Sequence, residues 1–319
     1  MGNTEPTQRA AKPVAGQGWQ DGKLFEVPAI ELVAPPKKRR RKSKDEPREF
    51  GGWTLDKLTI LDQYLKMYRR VAGSGTYIDA FAGEGTARIN GADVPGSPIR
   101  ALDSGSFRTL KFIELDDEVR SALGLRLAGH KWTKRCEVLP GDANQVIKKL
   151  LGDDAIERDR PCFAFLDPNS TQLDWATVEA LAGYKELVEG TKLCKVELWI
   201  LFNEQQAIQR LWPRDKSGLP TNAHVLDRVM GGRDAWLDLW NDRCGPQWLV
   251  HRYRERLRAL GYSHVNMQQI IDPATHRPQY WMLHATDHKA AVSFMRWAKR
   301  TSSIVYRTEA FPGLDVNDN

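Results

Sequence analysis

Cysteine and long apolar runs are both scarce in this sequence. Its 319 residues include four cysteines, which lie far apart and form no C-x-x-C pair. This spacing argues against a zinc site or a disulfide framework and is typical of proteins in a reducing compartment. No apolar run approaches the roughly 20 residues that cross a bilayer, and the N-terminus lacks the apolar stretch of a secretory signal. We therefore expect a cytoplasmic protein with no metal ion and no membrane segment.

Excess charge is nearly absent from most of the chain. The sequence has 47 Lys and Arg against 41 Asp and Glu, and residues 1–48 hold eleven of these cations and six of these acids. The other 271 residues therefore hold 36 cations and 35 acids. Composition gives no evidence that the folded body binds nucleic acid, whereas 41% hydrophobic residues are enough for a buried core.

Residues 1–48 are polar and rich in Pro, Ala and Gly, and we expect them to form a disordered arm. Three interpretations of a cationic run in this arm stay open: a solubilising tail, a segment that binds the phosphates of a nucleic acid, and a nuclear import signal. The run consists of Lys37, Lys38, Arg39, Arg40, Arg41 and Lys42.

From residue 49 onward, short apolar runs alternate with helical stretches. A helix begins near Trp53, and five strands follow it, at 76–80, 109–114, 136–139, 162–167 and 196–202. Strands and helices in this rhythm predict a parallel sheet with helices on both faces. Two later apolar runs are joined by a connection short enough for an antiparallel hairpin. The predicted fold class is α/β, a mostly parallel seven-stranded sheet with an antiparallel C-terminal hairpin and a helical insertion between strands five and six.

These elements divide the part of the chain after the arm into four segments. The segments are a core over 49–204, the Trp-rich insertion over 205–260, a hairpin and helix over 261–305 that complete the core, and a tail over 306–319.

The tryptophans of the insertion most simply form its apolar core. The alternative is that some are stacking platforms for single-stranded nucleic acid beside the arginines of 251–258.

Four successive strands each end in a polar or glycine-bearing turn. In an open parallel sheet, ligands bind outside the carboxyl ends of the strands, and glycines in a strand-to-helix turn let the backbone approach a ligand closely. An ordered series of such turns predicts a site for a nucleoside-type ligand. In the order of their strands, the candidate residues are Asp79, Phe81, Gly83 and Gly85; Glu114; Asp142 and Ala143; and Asp167, Pro168 and Asn169.

Two common nucleotide motifs are missing. The dinucleotide fingerprint G-x-G-x-x-G has Arg88 at its third glycine, and the phosphate-binding motif G-x-x-x-x-G-K-[ST] does not occur. Glu114 is suited to accept hydrogen bonds from ribose hydroxyls. Asp79 either contacts the ligand or holds the glycine turn, and Asp142 either contacts the ligand or caps the next helix.

The order of these residues resembles that of the class I S-adenosylmethionine-dependent methyltransferases. In that superfamily the glycine turn passes beside the methionine part of the cofactor, the acid after the second strand binds the ribose hydroxyls, and the acid after the third strand reaches the adenine amine. The resemblance implies that the cofactor S-adenosylmethionine is bound by Asp79, Phe81, Gly83, Gly85, Glu114, Asp142 and Ala143.

Further matches extend over the stretches 53–65, 77–85, 96–98, 112–114 and 165–178. Together these stretches resemble one family, the three-Cys-motif partner proteins (TcmP). The likeness is collinear over roughly residues 50 to 300. The family implies a methyltransferase-like Rossmann fold, found in bacteria, and a partnership with a separate protein whose three-cysteine motif resembles radical S-adenosylmethionine enzymes. It implies no substrate. The first of these stretches includes Lys57. By default a helix lysine such as Lys57 is solvent-exposed.

The turn after the fourth strand departs from this family. Its members usually continue Asp-Pro with an aromatic residue and a glycine, whereas Asn169 and Ser170 follow Pro168 here. Amino-methyltransferases stack such an aromatic residue on the target base, so Trp175 or Phe81 would have to replace it. Amine methylation is compatible with the sequence but not required by it.

Two functions follow from this comparison. In the first, the protein methylates a nucleic acid or a partner-presented substrate, and the catalytic residues are Asp167, Pro168 and Asn169, with Asp167 orienting or deprotonating the acceptor. In the second, it is a non-catalytic partner of the three-Cys-motif protein that retains the fold. The missing aromatic residue favours the second function more than it would in a standard family member.

Overall fold

A computed structural model describes residues 16–20, 23–27, 49–72, 74–89, 91–185, 195–213, 218–272 and 275–301. No helix within these ranges is both long and apolar enough to cross a membrane. The strands are β1 (Gly16–Gln20), β2 (Lys23–Val27), β3 (Glu49–Phe50), β4 (Thr76–Asp79), β5 (Thr86–Ile89), β6 (Ala92–Pro95), β7 (Thr109–Glu114), β8 (Cys136–Pro140), β9 (Cys162–Leu166), β10 (Glu197–Phe202), β11 (His264–Ile271) and β12 (Pro278–Thr286). The α-helices are α1 (Gly52–Ala72), α2 (Ser97–Asp103), α3 (Asp117–Ala128), α4 (Ala143–Gly152), α5 (Trp175–Gly183), α6 (Gln209–Leu211), α7 (Ala223–Met230), α8 (Leu237–Asn241), α9 (Gln247–Ala259) and α10 (Lys289–Thr301).

Seven strands form the main sheet, in the order β8, β7, β4, β9, β10, β12, β11. Neighbouring strands from β8 to β10 are parallel, whereas β12 is antiparallel to both of its neighbours, β10 and β11. The predicted α/β fold, with a mostly parallel seven-stranded sheet and an antiparallel C-terminal hairpin, is confirmed. Because the hairpin places its second strand inside the sheet, β12 is the strand that runs against the others.

The central strands of this sheet are buried on both faces, as expected for parallel strands covered by helices. All residues of β4, β9 and β10 are buried. Their side chains alternate between two apolar clusters, so that Ile78 and Leu166 lie in one cluster and Tyr77 and Phe165 in the other. Helix α1 covers the second cluster with residues such as Leu61. Burial on both faces explains why β9 and most of β10 have apolar sequences.

The helical insertion between β10 and β11 extends the first of these clusters. Trp212, Trp236 and Trp240 belong to the same cluster as Ile78 and Leu166, and their rings meet edge to face. Each of the three is at most 5% exposed, so none of them can stack on a base. These three tryptophans are therefore not stacking platforms for single-stranded nucleic acid. For Trp248, which is half-buried against the same cluster, the alternative stays a prediction.

The arginines of the basic helix α9 contact acceptor groups of the protein itself. Each of its four arginines contacts a carboxylate or a carbonyl of the protein, so α9 is not an open cationic face for nucleic acid. The partners are Asp238 for Arg252, the carbonyl of Val265 for Arg254, Glu179 for Arg256 and Glu255 for Arg258.

A small sheet of β3, β5 and β6 was not expected from the sequence. The glycine turn after β4 leads into the antiparallel hairpin β5–β6, so the next helix, α2, begins only at Ser97. The expected strand-to-helix turn is therefore wrong for this chain. The physical reason is the alternation in β5, where Ala87 and Ile89 are buried against Leu58 of α1.

Part of the arm that composition predicted to be disordered forms a hairpin. Strands β1 and β2 pair antiparallel, and the two residues between them are Asp-Gly, a pair that favours two-residue hairpin turns. The rest of 1–48, with the cationic residues 37–42, and the tail 306–319 lie outside the described residues. What the sequence predicted for those segments stays a prediction.

Candidate functional site

Four neighbouring strands end at one cleft of about 390 Å³. In space their order is β8, β7, β4, β9, and their carboxyl ends share one edge of the sheet because the strands are parallel. The volume lies within the range of about 300–1,000 Å³ that is usual for small-molecule pockets. The candidate residues that line the cleft are Phe81, Gly83, Gly85, Glu114, Asp142, Ala143, Asp167 and Asn169.

The glycine turn after β4 contributes to the wall of the cleft. Gly83 and Gly85 have φ angles of +63° and +84°, which other residues adopt only with strain. A Cβ on Gly85 would lie 2.8 Å from Leu123 Cδ1, whereas a Cβ on Gly83 would meet no atom within 4 Å. The Gly83 amide donates to Glu114 Oε2 at 2.9 Å. The backbone thus requires both glycines, and the space beside Gly83 is open.

Glu114 ends β7 and lines the cleft next to this turn. Its Oε2 accepts from the Gly83 amide, and its Oε1 accepts from the Asp116 amide at 3.0 Å. A carboxylate oxygen can accept two hydrogen bonds, so each oxygen of Glu114 retains capacity for one more donor. Two hydroxyls on adjacent carbons of a sugar would supply such a pair of donors.

Asp142 caps helix α4 and also lines the cleft. Its Oδ1 accepts from the amides of Asn144 and Gln145 at 2.9 and 3.3 Å, which is the capping arrangement that the sequence offered as an alternative. These bonds use Oδ1 alone and leave Oδ2 for a ligand. The amide of Ala143, at the first position of α4, has no acceptor within its own helix. Capping and ligand binding are therefore compatible at this turn.

Asp79 was predicted to contact the cofactor, but it lies beneath the glycine turn with none of its surface exposed. Its Oδ1 accepts from the Phe81 amide and its Oδ2 from the Tyr77 hydroxyl, both at 3.4 Å. The pKa of Asp79 is raised to about 7, chiefly by burial. Hydrogen bonding by Ser97, Phe81 and Tyr77 lowers this pKa in part, and the charge of Asp167 adds to the rise. The structure thus supports the alternative in which Asp79 holds the turn.

Asp167 follows β9 and forms an ion pair with Lys57 of α1 in the cleft. The Asp167 side chain is 23% exposed and that of Lys57 is 11% exposed. The Lys57 ammonium also lies 5.9 Å from the centre of the Tyr280 ring, within the range of a cation–π contact. The default expectation of a solvent-exposed Lys57 is wrong, because Asp167 and Tyr280 hold its charge in the cleft.

The other two predicted catalytic residues face different spaces. Asn169 is exposed and lines the cleft, and its amide donates to Gln172 Oε1 at 3.0 Å. Pro168 is buried and lines a second, much smaller cavity beside Phe202 and Tyr253. Pro168 was predicted to offer its backbone carbonyl to the methyl acceptor, but it is not among the described residues that line the cleft. Asp167 and Asn169 line it and stay candidates.

Two polar residues from other elements hold the turn after β9. Asn144 Nδ2 donates to the Gln172 carbonyl at 2.8 Å, and its Oδ1 accepts from the Asp174 amide at 3.0 Å. Arg228 of α7 donates to the Thr171 carbonyl at 2.7 Å and forms an ion pair with Asp174. The helical insertion thus helps to position the turn that carries Asp167.

Trp175 does not replace the aromatic residue that this turn lacks. It is 1% exposed and packs edge to face on Tyr253, with 4.9 Å between the ring centres. Phe81 is half-buried and is the aromatic residue among the described residues that line the cleft. The hypothesis that Trp175 stacks on a substrate is wrong because the ring belongs to the apolar core.

Several lining residues were not among the candidates. Five polar or glycine residues among them lie in stretches that carry the family resemblance, and this was the signal that could have identified those five. They are Thr54, Lys57, Gly96, Ser97 and Gln172.

The charge of the cleft is mainly negative. Glu84, Glu114, Asp116, Asp142 and Asp167 line it, and Lys57 is the cation among the described lining residues. This lining disfavours the pyrophosphate of a dinucleotide and favours a cationic ligand. In the described part of the chain, no group of three or more His, Cys, Asp and Glu side chains is placed to hold a metal ion.

Comparison with known proteins finds no matching family model and no matching curated sequence. Among solved structures, protein LPL1258 from Legionella pneumophila is 12% identical, with 81% of this chain and 96% of that chain covered and a TM-score of 0.47. The O-methyltransferase TomG from Streptomyces achromogenes, in complex with SAM, is 14% identical over 71% of this chain and 79% of that chain, with a TM-score of 0.42. An O-methyltransferase from Bacillus cereus, in complex with SAH, is 12% identical over 70% and 79%, with a TM-score of 0.41. The fold assignment depends on the strand order itself, and the TcmP resemblance stays a prediction.

Proposed function

We propose that this protein is an S-adenosylmethionine-dependent methyltransferase. The observation that carries the proposal is one cleft at the carboxyl ends of four strands. It is lined by a glycine turn, by two carboxylates with spare hydrogen-bond acceptor capacity and by the Lys57–Asp167 ion pair. The sheet order puts the strands of Asp142 and Glu114 on one side of the glycine turn and the strand of Asp167 on the other. This order suits a nucleoside with a charged extension.

The residues of the cleft fit S-adenosylmethionine in chemistry and in charge. Glu114 has acceptor capacity for the ribose hydroxyls, Asp142 Oδ2 for the adenine amine, and the Ala143 amide can donate to the adenine ring. The open space beside Gly83 lets a ligand approach the backbone. Five carboxylates and one lysine along the lining favour a sulfonium cation.

The work of the protein in such a reaction is positioning. When bound, S-adenosylmethionine supplies an activated methyl group. Asp167 and Asn169 lie at the turn after β9, away from the strands of Asp142 and Glu114, and we assign the methyl acceptor to this end of the cleft. There Asp167 would orient the acceptor and take its proton. Leu58 and Ala87, which are buried where the small sheet packs on α1, line the cleft with apolar surface.

The acceptor belongs, in this proposal, to a nucleic acid or to a substrate presented by a partner protein. The TcmP resemblance supports a partner with a three-cysteine motif, and the cationic run 37–42 supports contact with nucleic acid. If the run binds nucleic acid, the affinity should fall steeply with salt and should vanish when residues 1–48 are removed. Affinity that is independent of salt, or retained after truncation, would contradict this contact.

Calorimetry with S-adenosylmethionine and a tritium-transfer screen on DNA, RNA and protein test the proposed function. We expect binding of the cofactor and transfer to one of the three pools, alone or with the three-cysteine partner. Asp167→Ala should lose transfer and retain cofactor binding. Binding without transfer under any condition would support the non-catalytic partner instead, and absence of binding would reject the proposal.

A further inference from the structure

We infer that the methyl acceptor is a hydroxyl oxygen and that Lys57 stabilises the negative charge that this oxygen acquires as it loses its proton. The inference rests on the proposed function and adds the chemical class of the acceptor and a role for Lys57. It is carried by the position of Lys57 and Asp167 as an ion pair inside the cleft.

The surroundings of Lys57 keep its ammonium group in the cleft. Thr54 and Leu58, on the same helix, line the cleft with it. Lysine is almost never fully buried without a partner, and Lys57, which is 9% exposed, has Asp167 as its partner. By contrast, the side chain of Lys66 on the same helix is 60% exposed. Lys57 is therefore buried because of its partner in the cleft, and not because lysines of this helix are generally buried.

An amine acceptor and a hydroxyl acceptor place opposite electrostatic demands on this end of the cleft. An amine nitrogen becomes positively charged during methyl transfer, and a nearby ammonium group opposes that change. A hydroxyl oxygen loses its proton and becomes negatively charged, and a nearby ammonium group stabilises that change. Lys57 is the cation among the described lining residues, and it contacts Asp167. Its position favours the hydroxyl.

The turn after β9 also lacks the group that would hold a base. Pro168 is followed by Asn169 and Ser170, and Trp175 is buried in the apolar core. A ring that stacks on the base is part of how enzymes hold a base for chemistry. A hydroxyl on a sugar or on a side chain has no ring that must be stacked beside this turn.

The transfer balances with Asp167 as the proton acceptor. The acceptor oxygen forms a bond to the methyl carbon, the carbon–sulfur bond breaks, and its electron pair stays on the sulfur. The hydroxyl proton moves to Asp167 Oδ1 while Oδ2 stays paired with Lys57. Asp167 then releases this proton to water. The products are a methyl ether and S-adenosylhomocysteine, and no further reactant is needed.

The first experiment identifies the atom that carries the transferred methyl group. After tritium transfer by the full-length protein, the labelled DNA, RNA or protein is digested to monomers and separated against O-methyl and N-methyl standards. We expect the label in O-methyl products. Label in N-methyl products would overturn the inference and leave the proposed function intact.

The second experiment tests the Lys57–Asp167 pair by binding alone. Calorimetry gives the ratio of affinities for S-adenosylmethionine, which is a sulfonium cation, and S-adenosylhomocysteine, which is neutral at sulfur. Lys57→Met leaves Asp167 unpaired and should shift the ratio towards S-adenosylmethionine by about 3- to 10-fold at low salt. Asp167→Asn leaves Lys57 unpaired and should shift the ratio the opposite way, which also provides the test if Lys57→Met does not fold.

Two control variants separate an electrostatic role of Lys57 from a structural one. Lys57→Arg retains the charge and should retain the wild-type ratio. Lys66→Met removes a lysine of the same helix that pairs with Asp62 outside the cleft, and it should leave the ratio unchanged. If both Lys57→Met and Asp167→Asn fold and have the wild-type ratio, the pair does not face the sulfonium and the inference is overturned. Failure of the wild-type protein to bind either compound would instead reject the proposed function.

Discussion

Two paired carboxylates lie at opposite ends of the neighbouring strands β9 and β10, and they differ in what surrounds them. Glu197 begins β10 and lies 2.8 Å from His284 Nε2, and both side chains are under 10% exposed. Asp167 follows β9, pairs with Lys57 and borders an open cleft. The first pair is sealed within the fold, and the second is accessible to a ligand.

The two carboxylates also differ in how many donors the protein gives them. Glu197 accepts hydrogen bonds from the hydroxyls of Tyr64 and Thr286 in addition to its contact with His284. Burial and then the charge of Glu197 raise the pKa of Tyr64 well above its usual value. Asp167 pairs with Lys57 through Oδ2 and lines the cleft. A carboxylate that accepts several hydrogen bonds from the protein supports stability. A carboxylate with acceptor capacity left over can act on a ligand.

Removal of Glu197 should have the largest effect, because it leaves buried partners without their acceptor. We expect Glu197→Ala to lower the free energy of unfolding by about 3 to 5 kcal/mol, as measured by urea denaturation. The control is Glu137→Ala in the Lys111–Glu137 pair, where the glutamate is 52% exposed, and its cost should stay below about 1 kcal/mol. Equal costs for the two variants would show that the sealed pair does not stabilise the fold.

Loss of the Asp167 charge should affect turnover more than stability. We expect Asp167→Asn to lower the rate of methyl transfer by about 100-fold or more, which is the usual contribution of a positioned proton acceptor. Its free energy of unfolding should fall by less than that of Glu197→Ala, because Asp167→Asn leaves Lys57 alone without its counterion, at the border of an open cleft. Single-turnover tritium transfer and urea denaturation measure the two quantities. Wild-type turnover would contradict the role of Asp167.

Asp79, beneath the glycine turn after β4, should make the free energy of unfolding depend on pH. Its pKa in the folded state is raised from 3.8 to about 7, so its stabilising contribution is complete below pH 4 and is lost as the pH rises through 7. Between pH 5 and pH 8 the free energy of unfolding should fall by about 2 to 3 kcal/mol from this group. Asp79→Asn should remove that decrease, as measured by urea denaturation at several pH values.

Asp56 provides the control for this pH dependence. Burial raises its pKa to about 6, so its contribution is lost at lower pH than that of Asp79. Asp56→Asn should therefore change the pH dependence below about pH 6 and leave the decrease between pH 6.5 and 8 in place. A wild-type protein with no decrease in that upper range would contradict the raised pKa of Asp79.

The smallest predicted effect concerns the glycine turn. Gly85 and Gly105 both have positive φ, but an added Cβ clashes with Leu123 only at Gly85 and meets no atom within 4 Å at Gly105. We expect Gly85→Ala to cost about 2 kcal/mol and Gly105→Ala about 1 kcal/mol, as measured by thermal or urea denaturation. Only the first should weaken binding of S-adenosylmethionine. Equal effects on binding would show that the turn does not form the site.

Much of the fold could be predicted because its signals are local. Apolar runs mark β9 and most of β10, and these runs exist because both faces of the strands are buried. The small sheet was missed because β5 and β6 are only four residues long and β3 only two. Strands this short have too few residues to show the alternation of apolar and polar side chains that identifies a strand in a sequence.

The location of the candidate site was predicted, but the roles of its individual residues were not. Parallel strands bring their carboxyl ends to one edge, so Glu114 and Asp142 were found from strand ends alone. Asp79 and Pro168 have similar positions in the sequence, yet both are buried away from the cleft. Which strand-end residue faces the ligand depends on the path of each turn, and that path depends on packing with other elements.

Local patterns in the sequence were sufficient for the order of strands and helices, the glycine turn and the edge of the sheet at which a ligand would bind. The partners of the charged residues were not contained in those patterns. Lys57 and Asp167 are 110 residues apart in the chain, and Glu197 and His284 are 87 apart. Only the packing of α1 on the sheet and the pairing of β12 with β10 bring these residues together. Burial of a charge is stable only where a distant segment supplies its counterion or hydrogen-bond partner.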